Sequence, residues 1–151
     1  MSTQARIGAG TQFQCGNGAS PEVFTTLPEV LTIKFGGITV GTQKVTNQDS
    51  PQINGLIFEE YIGTLADGKE VDVTFNYRPA DVTQQALQSS QDGKPHNFRI
   101  VVRDLTQSPI AILKTMSYSA FVTEWAIPDF PLEKQIEGTC KMKITGTVTF
   151  V

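Results

Sequence analysis

The chain has 151 residues, 39% of them hydrophobic, and sets 12 Lys and Arg against 15 Asp and Glu for a formal net charge of −3. That length allows one domain with a core of its own and no covalent staples. The acidic balance and the lack of any basic run argue against a binder of nucleic-acid backbone, which needs clustered Lys and Arg to displace counterions, and no apolar run is long enough to span a bilayer.

Charged residues make up only 18% of the chain. Thr, Gln, Ser and Asn fill the gap, so much of the surface relies on neutral hydrogen bonds, which protect poorly against self-association. The opening "MSTQARIGAGTQ" lacks the apolar centre of a secretory signal, and a cytoplasmic origin is expected. Residues 1–12 read as a flexible N-terminal arm. The nearby "IGAGTQFQCGNG" has the glycines of a phosphate cradle, but no strand precedes it, no helix follows it, and no Lys-Ser/Thr completes it.

The first strand pattern covers 30–40, "VLTIKFGGITV", with Leu31, Ile33 and Phe35 inward and Gly36-Gly37 bending or breaking it. A long polar stretch follows, punctuated by Asn, Asp, Ser, Pro and Gly, and is predicted as a loop over about 41–60. Loops of that size in a compact domain are functional or disordered. A second strand, 69–77, alternates Val71, Val73, Phe75 and Tyr77 with Glu70, Asp72, Thr74 and Asn76.

Over 79–93, "PADVTQQALQSSQDG" predicts one short amphipathic helix, with a Pro for its first turn and a Gly for its C-terminal end. Val82, Ala86 and Leu87 form its apolar stripe, and Gln84, Gln85 and Gln88 point away. Aromatic and β-branched residues mark strands over 98–104 and 115–125. The last strand is the most regular: Cys140, Met142, Ile144, Val148 and Phe150 alternate with Thr and Lys. Gly146 marks a bulge or a close neighbour. The sum is a mainly β chain, an antiparallel β-sandwich or barrel with one flanking α-helix.

Chemistry is hard to find in this pattern. His96 is the single histidine, in a turn before a strand, and reads as an ordinary exposed loop residue. Cys15, Cys140 and His96 are too few and too scattered for a zinc site, and the acidic residues do not match a Ca²⁺ loop. Cys15 and Cys140 are expected as free buried thiols. Glu59 and Glu60 are adjacent, so on a strand they face opposite ways and cannot share a substrate. The expectation is a non-enzyme with no catalytic, cofactor or metal residues.

The order of features has a precedent. "GAGT" at 8–11, the long loop ending in "DSPQINGLIFEEY", "ADGKEVDVTFNYRPADVTQQAL", "DGKPHNFRIVVRD" and "FVTEWAIPDFPLEKQIEGTCKMKITGTVTF" follow one another along nearly the whole chain. In this it resembles the major tail tube proteins of long-tailed, non-contractile bacteriophages, the lambda-like type. Each motif is loose, and the weight comes from order and spacing. Some members add an immunoglobulin-like domain; here only a single tail tube domain, 1–151, is expected.

The resemblance implies two packed antiparallel sheets with a flanking helix. It also implies a structural protein of the virion tail, assembled in the host cytoplasm as hexameric rings that stack into a hollow tube. DNA would pass through the lumen without specific binding during genome ejection. Expected partners are other copies of the chain and further tail proteins: tape measure, tail tip and terminator. No membrane partner and no cofactor are implied.

In that family the long loop is mobile in the free subunit and orders against neighbours. Gln43, Lys44, Thr46, Asn47, Asp49, Asn54 and Glu59 are therefore the expected subunit-interface residues. Removal of 44–54 is expected to leave a folded subunit unable to form tubes. Glu70 and Asp72, on the polar face of their strand, are the expected lumen-facing residues, because a negative or neutral wall does not retain phosphate. Two alternatives stand beside this reading: a monomeric β-sandwich that binds or decorates a virion, and a related tube protein of a contractile secretion system.

Overall fold

A computed structural model describes residues 10–46 and 52–151. Most of the predicted N-terminal arm, including Gly8, lies outside the described residues. The strands run in the order β1 (Gln12–Gly16), β2 (Phe24–Thr26), β3 (Val30–Phe35), β4 (Ile38–Lys44), β5 (Gln52–Ile53), β6 (Leu56–Ile57), β7 (Tyr61–Gly68) and β8 (Glu70–Asn76). Helix α1 (Val82–Ser89) follows, and then β9 (His96–Asp104), β10 (Ala111–Ala126) and β11 (Glu137–Phe150).

Seven strands form one antiparallel sheet in the order β2-β1-β9-β10-β11-β8-β3. The two separate sheets implied by the resemblance are thus one sheet curled around a single core. Phe35 on the terminal strand β3 reaches Tyr118 on β10, three strands away in the ladder, with ring centroids 6.5 Å apart. Strand twist lets a sheet this wide roll over its own apolar face. Phe13 stacks on Phe98 at 5.6 Å, and Val71, Val73, Phe75, Cys140, Met142 and Ile144 complete the interior. Burying one such side chain contributes roughly 1.5–3 kcal/mol.

The alternation predicted for β8 and for the first half of β11 holds: Val71, Val73, Phe75, Cys140, Met142 and Ile144 are all buried. Two residues expected inward lie outside. Leu31, expected inward, is 49% exposed, because the β3–β8 register skips a residue between Val30 and Thr32. Phe150 is also exposed. Gly146 has φ +80°, and the β10–β11 register slips beside it, between Ser117 and Ser119. Val148 beyond it still packs against the core, so the irregularity keeps the strand's phase, and Phe150 is exposed as the last residue of β11.

The helix forms where predicted, but its inward face differs. Asp81 is its N-cap, accepting a hydrogen bond from the Gln84 backbone N–H at 3.0 Å. Val82 and Ala86 are exposed, whereas Gln84 is buried beside Leu87. The Gln84 amide bridges two backbone groups at the end of β8. Its Nε2 donates to Asn76 O (2.9 Å), and its Oε1 accepts from the Arg78 N–H (2.8 Å). A polar side chain goes inside here because it satisfies strand-end groups that would otherwise be buried unpaired.

Candidate functional site: a projecting two-stranded arm

The segment 41–60, expected as a loop, begins inside β4, carries the short β5–β6 pair and is followed by β7, while 47–51 lie outside the described residues. β4 pairs antiparallel with β7, from Ile38 opposite Gly68 to Lys44 opposite Tyr61. This ladder continues the β3–β8 pair beyond the sheet. Gly36 N–H donates to Glu70 O (2.9 Å) and Lys69 N–H to Gly37 O (2.9 Å), so hydrogen bonding crosses the bend unbroken. Gly37 adopts φ +89°, a conformation that favours glycine.

At its base the arm lies against β11. Lys143 Nζ donates to Gly68 O (2.6 Å) and sits 3.3 Å from Asp67 Oδ2. Beyond that anchor the ribbon leaves the core, and every residue of β4 is exposed. It carries an unusual load of apolar side chains into solvent: Ile38, Val40, Leu56, Phe58, Tyr61, Ile62 and Leu65, the last 88% exposed. Exposed apolar side chains gathered on one projecting element make it a candidate interaction surface.

The expected interface residues are partly brought together. Lys44 Nζ donates to Glu59 Oε1 (2.5 Å), and the Tyr61 hydroxyl donates to Glu59 Oε2 (2.7 Å). Hydrogen bonds from Lys44 first, and then Tyr61, hold the Glu59 carboxyl below its ordinary pKa of 4.5. Thr46 Oγ1 accepts from the Glu60 N–H (2.7 Å), and Gln43 lies opposite Ile62. Asn47 and Asp49 lie outside the described residues. Glu59 and Glu60 do not act as a pair, since Glu60 meets Thr46 through its backbone while Glu59 meets Lys44 and Tyr61 through its side chain.

Asn54 sits apart from that group. With Gly55 it forms the two-residue turn of the β5–β6 hairpin, both at positive φ, +53° and +78°. Asn-Gly at such a turn is the strongest short-range hairpin signal a sequence carries. Sequence reading that treated "INGL" as loop passed over it.

Glu70 and Asp72 project from the face of β8 away from the core, among lysines. Lys143 lies opposite Glu70, while Lys141 and Lys34 flank Asp72 on neighbouring strands. Two carboxylates among three ammonium groups make this a mixed face, not an acidic one. His96 opens β9 half-buried, its Nε2 3.0 Å from Asp92 Oδ1. Cys15 and Cys140 are free, and burial pushes both thiols up to about 12. No three His, Cys, Asp or Glu among the described residues cluster closely enough to hold a metal ion.

Comparison with solved structures shows which fold this is. A chain from the cryo-EM structure of the anti-feeding prophage tube-terminating cap superposes with a TM-score of 0.73 at 11% identity, covering 100% of this chain and 94% of that one. A chain from the tail of the empty gene transfer agent particle, a helical reconstruction with C6 symmetry, gives 0.68 at 16% identity over 97% and 99%. The SPP1 tail tube gives 0.58 at 17% identity over 93% of this chain and 74% of that one. The chain therefore has the fold found in these tail assemblies. No protein-family model and no curated protein matches its sequence.

Proposed function

We propose that this protein is a tail tube subunit, a structural and non-enzymatic protein whose copies close into six-membered rings that stack into a hollow conduit. The observation that carries the proposal is the arm. A folded domain that can bury its apolar residues instead extends five of them, Ile38, Val40, Tyr61, Ile62 and Leu65, on a ribbon outside its core. Ribbons of this kind are satisfied by pairing with, or lying across, a neighbouring copy. Likeness of fold to chains from tail assemblies, one of them helical with C6 symmetry, supports the same reading.

In a long-tailed, non-contractile phage the conduit would carry the genome. The tube would be part of the virion tail, assembled in the host cytoplasm with tape measure, tail tip and terminator proteins. A wall with Glu70 and Asp72 set among Lys34, Lys141 and Lys143 would be close to neutral and would let DNA slide. A second reading, a tube protein of a contractile injection system, is favoured by one observation. Two chains from an extracellular contractile injection system superpose at 0.72 and 0.68, against 0.68 for the gene transfer agent tail and 0.58 for the SPP1 tail tube.

Negative-stain microscopy of the concentrated protein tests the proposal. Rings or tubes of constant diameter are expected. A particle that stays monomeric at every concentration and salt would instead support a monomeric binding or decoration module.

A further inference from the structure

Besides the arm, and besides the exposed apolar residues of the β9–β10 connection (Leu105, Ile110, Ile112), an apolar surface among the described residues lies at the opposite end of the β8–β11 ladder from the arm. The connection 127–136, between β10 and β11, carries Phe130 at 68% exposure and Leu132 at 101%. Two features hold the connection in shape. Pro128 and Pro131 flank Phe130 and fix the local backbone, and Tyr77 N–H donates to Ile136 O at 2.7 Å. A side chain presented by a stiffened backbone loses little conformational freedom on binding.

Eight residues along β11 from Gly138, roughly 26 Å at 3.3 Å per residue, the arm base and the strand enclose an open groove of about 420 Å³. Ile38, Ala66, Gly68, Ile144, Gly146 and Val148 line it, with Asp67, Thr145 and Thr147 also contributing. Two glycines lie in its walls. A Cβ on Gly68 would come 2.5 Å from Ile144 Cγ2, so only glycine lets the arm base lie this close to β11. Nothing within 4 Å would fill the space above Gly146.

We infer that Phe130 and Leu132 of one copy seat in the arm-base groove of a second copy, making a head-to-tail contact between successive subunits. The knob and the groove lie at opposite ends of one ladder and differ in shape, so the contact is heterologous, the kind that propagates into closed rings or open filaments. The groove is bounded by the arm itself, so a copy seated there extends the arm's own interface. This inference rests on the self-assembly proposed above and names which surfaces meet.

Disulfide trapping tests it. Protein carrying both Leu132→Cys and Ala66→Cys, oxidised mildly under assembly conditions, is expected to give a ladder of covalent dimers, trimers and longer species on a non-reducing gel. A mixture of the two single variants should stop at the dimer. A control pairing Leu132→Cys with Val82→Cys, on the exposed side of α1, should give no ladder. Alongside, Leu132→Asp should leave thermal unfolding unchanged and raise the concentration needed for assembly at least tenfold.

Assembled double-cysteine particles that give no ladder, together with a Leu132→Asp variant that assembles normally, would overturn this contact and leave the tube reading standing. Failure of the unsubstituted chain to assemble under any condition would overturn both.

Discussion

Gly36 and Glu70 meet where the domain becomes the arm: the Gly36 N–H donates to the Glu70 carbonyl at 2.9 Å, and a Cβ on Gly36 would lie only 2.6 Å from that oxygen. The crossing from buried ladder to exposed ribbon thus depends on a residue without a side chain. Because both groups are backbone, the conflict with any larger residue cannot be relieved by a rotamer change. Gly36→Ala is expected to cost about 1–3 kcal/mol through forced backbone displacement. Urea denaturation monitored by Trp125 fluorescence measures it, and a change near zero would show that the bend is looser than this geometry implies.

The arm contributes no member of the buried core, so the fold should survive without it. Joining Thr39 to Asp67, which face each other across the ribbon, through an Asn-Gly turn removes the projection at a natural crossing point. This boundary removes the outer ladder as well, whereas removing 44–54 would keep the β4–β7 pairs from Ile38–Gly68 to Gln43–Ile62. Stability should stay within about 1 kcal/mol of the intact chain, since loop-closure entropy varies slowly with length. Assembly should be abolished, as read by analytical ultracentrifugation. Normal tubes from this variant would remove the arm from the assembly mechanism.

Gln84 is 1% exposed and bonds to backbone at both ends of its amide. Gln84→Ala leaves the Asn76 carbonyl and the Arg78 N–H unpaired and opens a cavity, with an expected loss of about 2–4 kcal/mol. Gln84→Glu keeps the shape but replaces the amide donor with an ionised oxygen facing a carbonyl, and should also destabilise, increasingly so as pH rises. Equal stability of all three proteins in chemical denaturation would contradict the bridging role.

The Lys44–Glu59–Tyr61 group ties the two strands of the arm together near its outer end. Its hydrogen bonds lower the folded-state pKa of Glu59 from 4.5, so their contribution is present above that value and is lost as pH falls through the depressed one. A carboxyl-carbon NMR titration of Glu59 should give a midpoint below 4.5, and Lys44→Met should move it upward. A midpoint in the free subunit at or above 4.5 would mean that the group does not form in solution.

Cys140 is buried beneath β8 and β10, and Cys15 is half-buried, with burial raising both thiols from 9.0 to about 12. A thiol reagent at pH 8 should leave native Cys140 unmodified and label both residues after unfolding. Between pH 9 and 12 the unfolded chain releases these protons before the native one does, so stability should fall as pH rises through that window. Rapid labelling of native Cys140 would show that the core opens locally.

How much the sequence revealed follows from where burial is one-sided. β8 and the first half of β11 have one face in the core and one in water, and each wrote a period of two that fixed which residues lie inside. The helix was legible from its capping and composition, but its inward face was not. Whether Gln84 or Val82 turns inward depends on two strand-end backbone groups distant in reasoning though near in space. Leu31 sits at a single-residue bulge, which changes facing without changing composition, and Phe150 is the last residue of its strand.

By itself, then, the sequence determined a mainly β domain with one short helix, free cysteines and a long polar insertion of some purpose. Only the tertiary structure decided that β4 and β7, on either side of this insertion, pair into a ribbon continuing the β3–β8 ladder, and that its base forms a groove with β11. The physical reason is that β4 and β7 are exposed along almost their whole length. A ribbon exposed on both faces has no hydrophobic alternation to read, because in the isolated chain nothing is buried on either side. Its pairing is carried by backbone hydrogen bonds, which any residue but proline can make, and they leave no trace in the order of side chains.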